Sequence, residues 1–364
     1  MLITQLNIDG LRNLKGCSIA FDQDKRVSLF IGDNGAGKTS VLEAIHCLAA
    51  GTSFRSTSLK HLISKDEKNY TIFAKATLPS SDSDFTLGLM KRQDGKGEAR
   101  LNGEKIKSQE SISSLLPVMV LEPGSFDLVI GSPDYRRRFL DWGVFHVKHE
   151  FWSIASRYKK AIKQRNALLR SQSDKALIRS FTQQLVQLAE PLSEMRLSYF
   201  NELKIEFESV VQQLTDLENV EMRYNRGWSK ELGFSEYLEA NLDKDFEAGY
   251  TRYGPHRADL VIRANGLPVK EVLSRGQLKL LVCSLVLAQC RLFERHGNSE
   301  TILLLDDLAS ELDERHRNSV LKQLVQMGRQ VFMTSVDLNG FSKDILNQTQ
   351  MFHVKQGNIT ISTS

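Results

Sequence analysis

Apolar residues follow different rhythms along this chain, and the changes of rhythm divide it. In the first third, Leu2 to Ile8, Ser18 to Phe21 and Val27 to Ile31 read as strands, and Ala99 to Ile106 carries an Asn102-Gly103 pair suited to a tight hairpin turn. From Val144 to Arg226 there is no Gly and a single Pro, Pro191. Within that stretch Ile154, Tyr158, Ala161, Ile162 and Leu168, and then Leu203, Phe207, Val210 and Leu214, recur at helical spacing. This predicts a helical lobe in which Pro191 separates two helices. The last third returns to a mixed pattern, with a second hairpin at Asn265-Gly266, an apolar helix near 276–292 and a buried-type strand Ile302 to Leu305. The expected fold is α/β in three parts, 1–125, 126–250 and 251–364, with the helical part inserted between two halves of one unit.

Composition changes this picture little. The 364 residues are 41% hydrophobic and 25% charged, ordinary for a globular protein and enough for two or three domains. Cys17, Cys47, Cys283 and Cys290 form no C-x-x-C pair, which argues against a zinc ribbon or a disulfide framework. The start, MLITQLNIDG, lacks the pattern of a signal peptide, and the run Leu278 to Cys290 is shorter than the ~20 residues that span a bilayer. The expectation is a cytoplasmic protein with no membrane partner.

Chemistry enters at GDNGAGKTS: Gly32, Asp33, Asn34, Gly35, Ala36, Gly37, Lys38, Thr39 and Ser40. It matches G-x-x-x-x-G-K-[ST], follows the strand VSLFI and opens the helical pattern SVLEAIHCLAA, the context that a phosphate-binding loop requires. Backbone N–H groups at such a helix start point at a phosphate chain, as in ATP, while Lys38 reaches its outer phosphates and Thr39 holds Mg2+. The apolar strand TILLLDD ends in two carboxylates. Asp306 is placed to hold the metal through water and Asp307 to orient or deprotonate an attacking water, so Lys38, Asp306 and Asp307 are the catalytic candidates. About thirty positions earlier, LSRGQLKLL opens a helix whose Ser274, Gly276 and Gln277 present a hydroxyl and N–H groups suited to an anion.

The Ser-x-Gly-Gln core resembles the signature motif of ATP-binding-cassette ATPases, which implies that Ser274 and Gly276 act on nucleotide held by a second copy of the chain. SELD, Ser310 to Asp313, resembles the D-loop of that superfamily and implies that Asp313 lies near a dimer seam. Thr334 or Ser335 stands where transporter ATPases usually carry a switch His, and the strand PVMVL leads into EPGSF with no Gln, leaving Glu122 as the candidate Q-loop residue. The motif order is also that of SMC and Rad50 heads, but the roughly 150 residues between the lobes leave no room for a long coiled coil or a zinc hook. Phe126 to His146, Tyr158 to Leu169, Tyr253 to Arg263 and the signature segment together resemble the RecF family, over Leu2 to about residue 358.

That resemblance implies an ABC-type P-loop ATPase head with an inserted helical lobe, and Arg12 in GLRNL near the nucleotide of its own subunit. It also implies weak, DNA-dependent ATP hydrolysis used as a switch. Two heads would close around ATP and hold duplex DNA near single-strand junctions, helping RecO and RecR load RecA and supporting the SOS response. An ATPase subunit of a membrane energy-coupling complex shares the motifs but should have a regular Q-loop and switch His. An isolated P-loop kinase would carry its carboxylate strand nearer the phosphate loop.

Charge, resolved along the chain, supplies the DNA candidate. Between Arg136 and Arg170 ten Lys or Arg face two acids, a net of +8 in a chain whose total is +4, so the remainder sums to −4. Arg136, Arg137, Arg157, Lys159, Lys160, Lys163 and Arg165 are the expected backbone-phosphate contacts, and no base-reading motif accompanies them.

Overall fold

A computed structural model of the chain describes residues 2–56, 58–78, 83–106, 109–297, 301–307 and 312–362. It separates into two units, Met1–Ser125 with Ser299–Ser364, and Phe126–Asn298.

The first unit contains two sheets. Five antiparallel pairings build a sheet in the order Cys17–Ala20, Leu2–Asp9, Asn69–Leu78, Ser83–Arg92, Gly97–Leu101 and Glu104–Ile106. The last turn is the expected one, with Asn102 and Gly103 both at positive φ (51° and 82°). The second sheet runs Asn358–Ile361, Thr349–Lys355, Val27–Ile31, Val331–Ser335, Ile302–Leu305 and Val118–Leu121, parallel except for the first strand. Its three central strands are buried along their whole length, as their unbroken apolar runs require. The helix Lys38–Ala50 is buried on nearly all sides, and its Val41, Leu42, Ile45 and Leu48 share one core with Leu6, Ile72 and Leu87 of the antiparallel sheet and Phe30, Leu304 and Phe332 of the parallel one.

The second unit is mainly helical: Pro133–Val147, Phe151–Arg170, Lys175–Leu214 and Arg275–Arg295 are its main helices, with a three-stranded sheet ordered Leu267–Pro268, Asp259–Ala264, Val220–Asn225. Two features differ from the sequence reading. Pro191 does not separate two helices; it lies inside one helix of 40 residues. The buried stripe Thr182, Leu185, Leu188, Ala189, Leu192 and Met195 runs straight through it, and burying such side chains at roughly 1.5–3 kcal/mol each outweighs the ~3 kcal/mol that an interior proline costs. Residues 251–298, grouped above with the ATPase head, pack instead with the helical segment. The reason is Arg275–Arg295, whose Leu278, Leu281, Leu285, Leu292 and neighbours are buried and which packs on Lys175–Leu214. That helix is long and apolar enough to cross a membrane, but 78% of the apolar window is buried inside the protein. All four cysteines are free thiols, Cys47, Cys283 and Cys290 buried and Cys17 half-buried.

The second unit also carries a titratable lock. The Tyr158 hydroxyl donates to His256 Nδ1 at 2.8 Å while His256 Nε2–H donates to the Thr251 carbonyl at 3.0 Å, so both ring nitrogens are used by a neutral imidazole. Burial, reinforced by Arg257, Arg137 and Arg165, pushes its pKa down to about 4. The unfolded chain takes up this proton near pH 6.5 and the folded one only near 4, so stability falls as pH drops through that window, by up to ~3 kcal/mol from this group. Urea titrations at pH 7.5 and 4.5 should show a smaller loss in a His256→Asn variant than in the parent; an equal loss would contradict the lock.

Candidate functional site

The C-terminal ends of three neighbouring parallel strands bring the expected residues together, as crevices at such strand ends do. Val27–Ile31 leads into the glycine loop, and Gly37 caps the helix at φ 116° with Lys38 as its first residue. A side chain at Gly37 would be strained at that φ and would press on the Asn13 amide at 2.9 Å. Asn13 Nδ2 donates to the Ala36 carbonyl at 3.0 Å, and Gly357 N–H donates to the same oxygen at 2.8 Å. The loop is therefore tied from both chain ends. Neither Asn13 nor Gly357 stands out in the sequence, because nothing in their spacing relates them to the loop.

Lys38 folds back over the loop, its ammonium donating to the Gly32 carbonyl at 2.5 Å and the Asp33 carbonyl at 2.9 Å. Burial lowers its pKa, opposed by the carboxylates of Asp307, Asp306 and Asp33. Thr39 Oγ1 donates to Asp306 Oδ1 at 2.8 Å, linking residues 267 positions apart. Thr334, from the strand between them, donates its hydroxyl to the same Asp306 oxygen at 2.8 Å and accepts the Asp307 N–H at 2.9 Å. Thr334, one of the two residues that stand at the switch position, thus fixes the Asp306 carboxylate and the Asp307 backbone, and Asp307 is held at φ 54°, in the left-handed region.

A Mg2+ ion fits this donor set. Among the described residues no group of three His, Cys, Asp or Glu is arranged to hold a metal, but Mg2+ keeps several waters and takes one or two protein ligands plus substrate phosphates. Thr39 Oγ1 would be a direct ligand and Asp306 would hold the ion through water.

Glu122 follows the strand Val118–Leu121, which pairs in register with Ile302–Leu305, and Asp306 N–H donates to the Leu121 carbonyl at 2.8 Å. Burial pushes the Glu122 carboxyl up to about 7, with Asp306 adding to the rise and Arg55 opposing it. Arg12 makes a two-pronged pair with Glu43 of the loop helix, Nε and Nη2 each 2.8 Å from a carboxylate oxygen, while Nη1 donates to the His61 carbonyl at 2.6 Å. Glu43 is fully buried, so this pair satisfies an otherwise costly charge and anchors Arg12 one helical turn from Thr39.

The signature residues form a closed cap on an exposed helix start. Ser274 Oγ accepts the Gln277 N–H at 3.3 Å and Gln277 Oε1 accepts the Ser274 N–H at 2.9 Å. No atom lies within 4 Å of the position a Cβ would take at Gly276, which leaves that backbone open. Ser310 and Glu311 of the D-loop segment lie outside the described residues. Asp313 caps the helix Glu314–Gln326, accepting from His316 N–H at 3.0 Å and pairing with His316 Nδ1 at 2.6 Å.

Comparison with known proteins shows the family. The RecF/RecN/SMC N terminal domain model matches residues 2–360. The DNA replication and repair protein RecF of Shewanella baltica (strain OS223) is 38% identical over 99% of both chains, and that of Shewanella oneidensis is 37% identical over the same share. This chain belongs to the RecF family. A solved structure of the recombination mediator protein RecF-ATPrS in the RecFOR pathway superposes with a TM-score of 0.88, 25% identity and coverage of 99% of this chain and 98% of that one. The SmcHead bound to the C-winged helix domain of ScpA is similar in fold, with a TM-score of 0.60 at 14% identity over 100% of this chain and 97% of that one.

In this RecF-family chain the basic block is split between surface and interior. Arg157, Lys159, Lys160 and Lys163 are exposed on the helix Phe151–Arg170. Arg165 is not on that surface: it is fully buried, with Nη1 2.8 Å from Asp245 and 2.6 Å from Thr251 Oγ1, and Nε 2.8 Å from Thr182 Oγ1. Arg136 is bound two-pronged to Asp259 at 2.7 and 3.0 Å, and Arg137 donates to the Ala258 carbonyl at 2.7 Å. Arg136 and Arg137 stitch the helix Pro133–Val147 to the start of the strand Asp259–Ala264, and Arg165 ties its helix to Lys175–Leu214 and to the segment that holds Asp245 and Thr251. Charge counting missed this because a guanidinium that faces a buried carboxylate and one that faces solvent look alike in composition.

Proposed function

We propose that this chain is an ATP-switched DNA-binding protein of recombinational gap repair and replication-fork recovery, located in the cytoplasm. The observation that carries the reading is the convergence of Lys38, Thr39, Asp306 and Thr334 at the ends of three adjacent strands, in a member of a family whose curated relatives are named for DNA replication and repair. In this reading ATP lies along the Gly32–Thr39 loop, Thr39 and Asp306 hold Mg2+, and the metal when bound offsets phosphate charge. Asp307, held by Thr334, orients the attacking water. The shorter Asp side chain, where superfamily members commonly have Glu, keeps hydrolysis slow enough to time a switch rather than drive a motor.

The exposed cap at Ser274 and Gly276 completes the site in trans: it meets the nucleotide of a second copy, so ATP closes a homodimer. The closed dimer holds duplex DNA near a single-strand junction through Arg157, Lys159, Lys160 and Lys163, and works with RecR, and with RecO and RecA, in the same pathway. The membrane energy-coupling alternative is disfavoured, because Thr334 at the switch position is engaged with the Asp306 carboxylate and the Asp307 backbone N–H instead of offering a His.

Sedimentation with ATP and gapped DNA tests the dimer. The parent is expected to run as a dimer with ATP and as a monomer without it, whereas Ser274→Arg should bind ATP with unchanged affinity yet remain monomeric. A monomeric parent at saturating ATP and DNA would refute the sandwich.

A further inference from the structure

A second cationic site lies on the three-stranded sheet of the second unit. The outer face of the three-stranded sheet pairs Val261 directly with Arg223, and Arg263 with Glu221. The segment after Asn225 borders, with this face, an open depression of about 270 Å3 lined by Arg223, Arg226, Trp228, Lys230, Val261 and Arg263, among others. The segment is built rather than loose. Gly227 sits at φ 95° with its would-be Cβ 2.2 Å from the Gly254 carbonyl oxygen, so no side chain fits, and its own carbonyl accepts the Gly254 N–H at 3.1 Å.

Three features of this depression point to an anionic ligand. Arg226, Lys230 and Arg263 form no ion pair among the described residues: Arg226 donates to the Ser229 carbonyl at 2.5 Å, and Arg263 to the Gly266 carbonyl at 2.7 Å. Only Arg223 has an acid, Glu221, at 2.8 Å. Second, Trp228 is only 8% exposed, and its indole N–H and the Arg226 Nε–H are buried without an acceptor. Buried donors of this kind are rare and call for a partner oxygen. Third, the depression falls just below the ~300 Å3 at which drug-sized pockets begin, so it suits one small charged group.

We propose that this depression seats a backbone phosphate of the DNA strand, a contact separate from the Arg157–Lys163 face. The inference rests on the reading of the chain as a DNA-binding protein. An acidic protein segment is the less suitable ligand. Protein interfaces are anchored by offered aromatic side chains, and here the Trp228 ring is covered by the Arg226 guanidinium at 4.5 Å and by Phe234 at 4.6 Å. Four of the eight lining residues are Arg or Lys and none is acidic, with Val261 the sole aliphatic one. Arginine forks and N–H donors suit phosphate oxygens, which position a duplex without reading its sequence.

The test measures affinity for a gapped duplex against salt concentration, with ATP present, for the parent and a Lys230→Gln/Arg263→Gln variant. Both side chains lie at the surface or half-buried, and thermal melting checks that the variant folds. Loss of one seated phosphate is expected to reduce the steepness of log affinity against log salt by about 0.9 and to weaken binding ~8-fold at 0.1 M salt. A slope equal to the parent's overturns the proposal, and weaker capture of a poly-glutamate peptide alongside that unchanged slope would assign the depression to an acidic protein. A parent that binds no DNA at all would instead overturn the functional reading beneath it, and the two failures are told apart by the parent's own titration.

Discussion

A Lys38→Met variant is expected to bind ATP ~10–100-fold more weakly than the parent and to lose ATP-dependent dimerisation at ATP concentrations that saturate the parent. Lys38 is 8% exposed, and its ammonium donates to the Gly32 and Asp33 carbonyls of its own loop. It has been taken partly out of water before any ligand arrives, which is why burial lowers its pKa. A phosphate oxygen supplies the missing anionic partner, and a hydrogen bond to a charged group contributes about 1.5–3 kcal/mol, or one to two powers of ten in affinity. Methionine keeps the apolar stem and removes only the charge. Titration with a fluorescent ATP analogue, followed by sedimentation, checks both parts; parent-like affinity would remove Lys38 from the nucleotide site.

The second large effect falls on stability, at a residue that charge counting assigns to DNA. Arg165→Ala should destabilise the second unit by ~3–5 kcal/mol, because it leaves the fully buried Asp245 carboxylate without its cation. Lys160→Glu, a few residues earlier on the same helix but exposed, should change stability by no more than ~0.5 kcal/mol. Urea denaturation distinguishes them. A paired Arg165→Met/Asp245→Leu replacement is expected to lose much less than Arg165→Ala alone, since removing both charges avoids the unpaired one. If Arg165→Ala unfolds like the parent and only DNA affinity falls, the buried pair is not what holds this unit together.

Much of the nucleotide site was legible because its parts are short, local and chemically constrained. A glycine loop between a strand and a helix, and an apolar strand ending in two Asp residues, each state their geometry within ten residues, and the strands and hairpin turns appear where the pattern places them. The position of Arg165 was also written in the pattern: it continues the stripe Tyr158, Ala161, Ile162 at helical spacing, and that stripe is the buried one. Counting charges without that periodicity put it on the surface. Pro191 shows the opposite case, where a strong local rule is overridden by the continuous burial on either side of it.

What the sequence by itself determined is therefore the phosphate loop, the paired carboxylates, the capped signature helix and the alternation of strand-rich and helical stretches, all of which depend on neighbours within a few turns. Only the tertiary structure decided that Thr334 ties the Asp306 carboxylate to the Asp307 backbone, that Asn13 and Gly357 brace the loop, that Arg12 pairs with Glu43, that Arg136 and Arg137 are engaged by the sheet and that Arg165 is internal. Each of those roles depends on which distant strand or helix supplies the partner. A polar side chain's function is set by the group it meets, and for these residues that group lies far away in the chain.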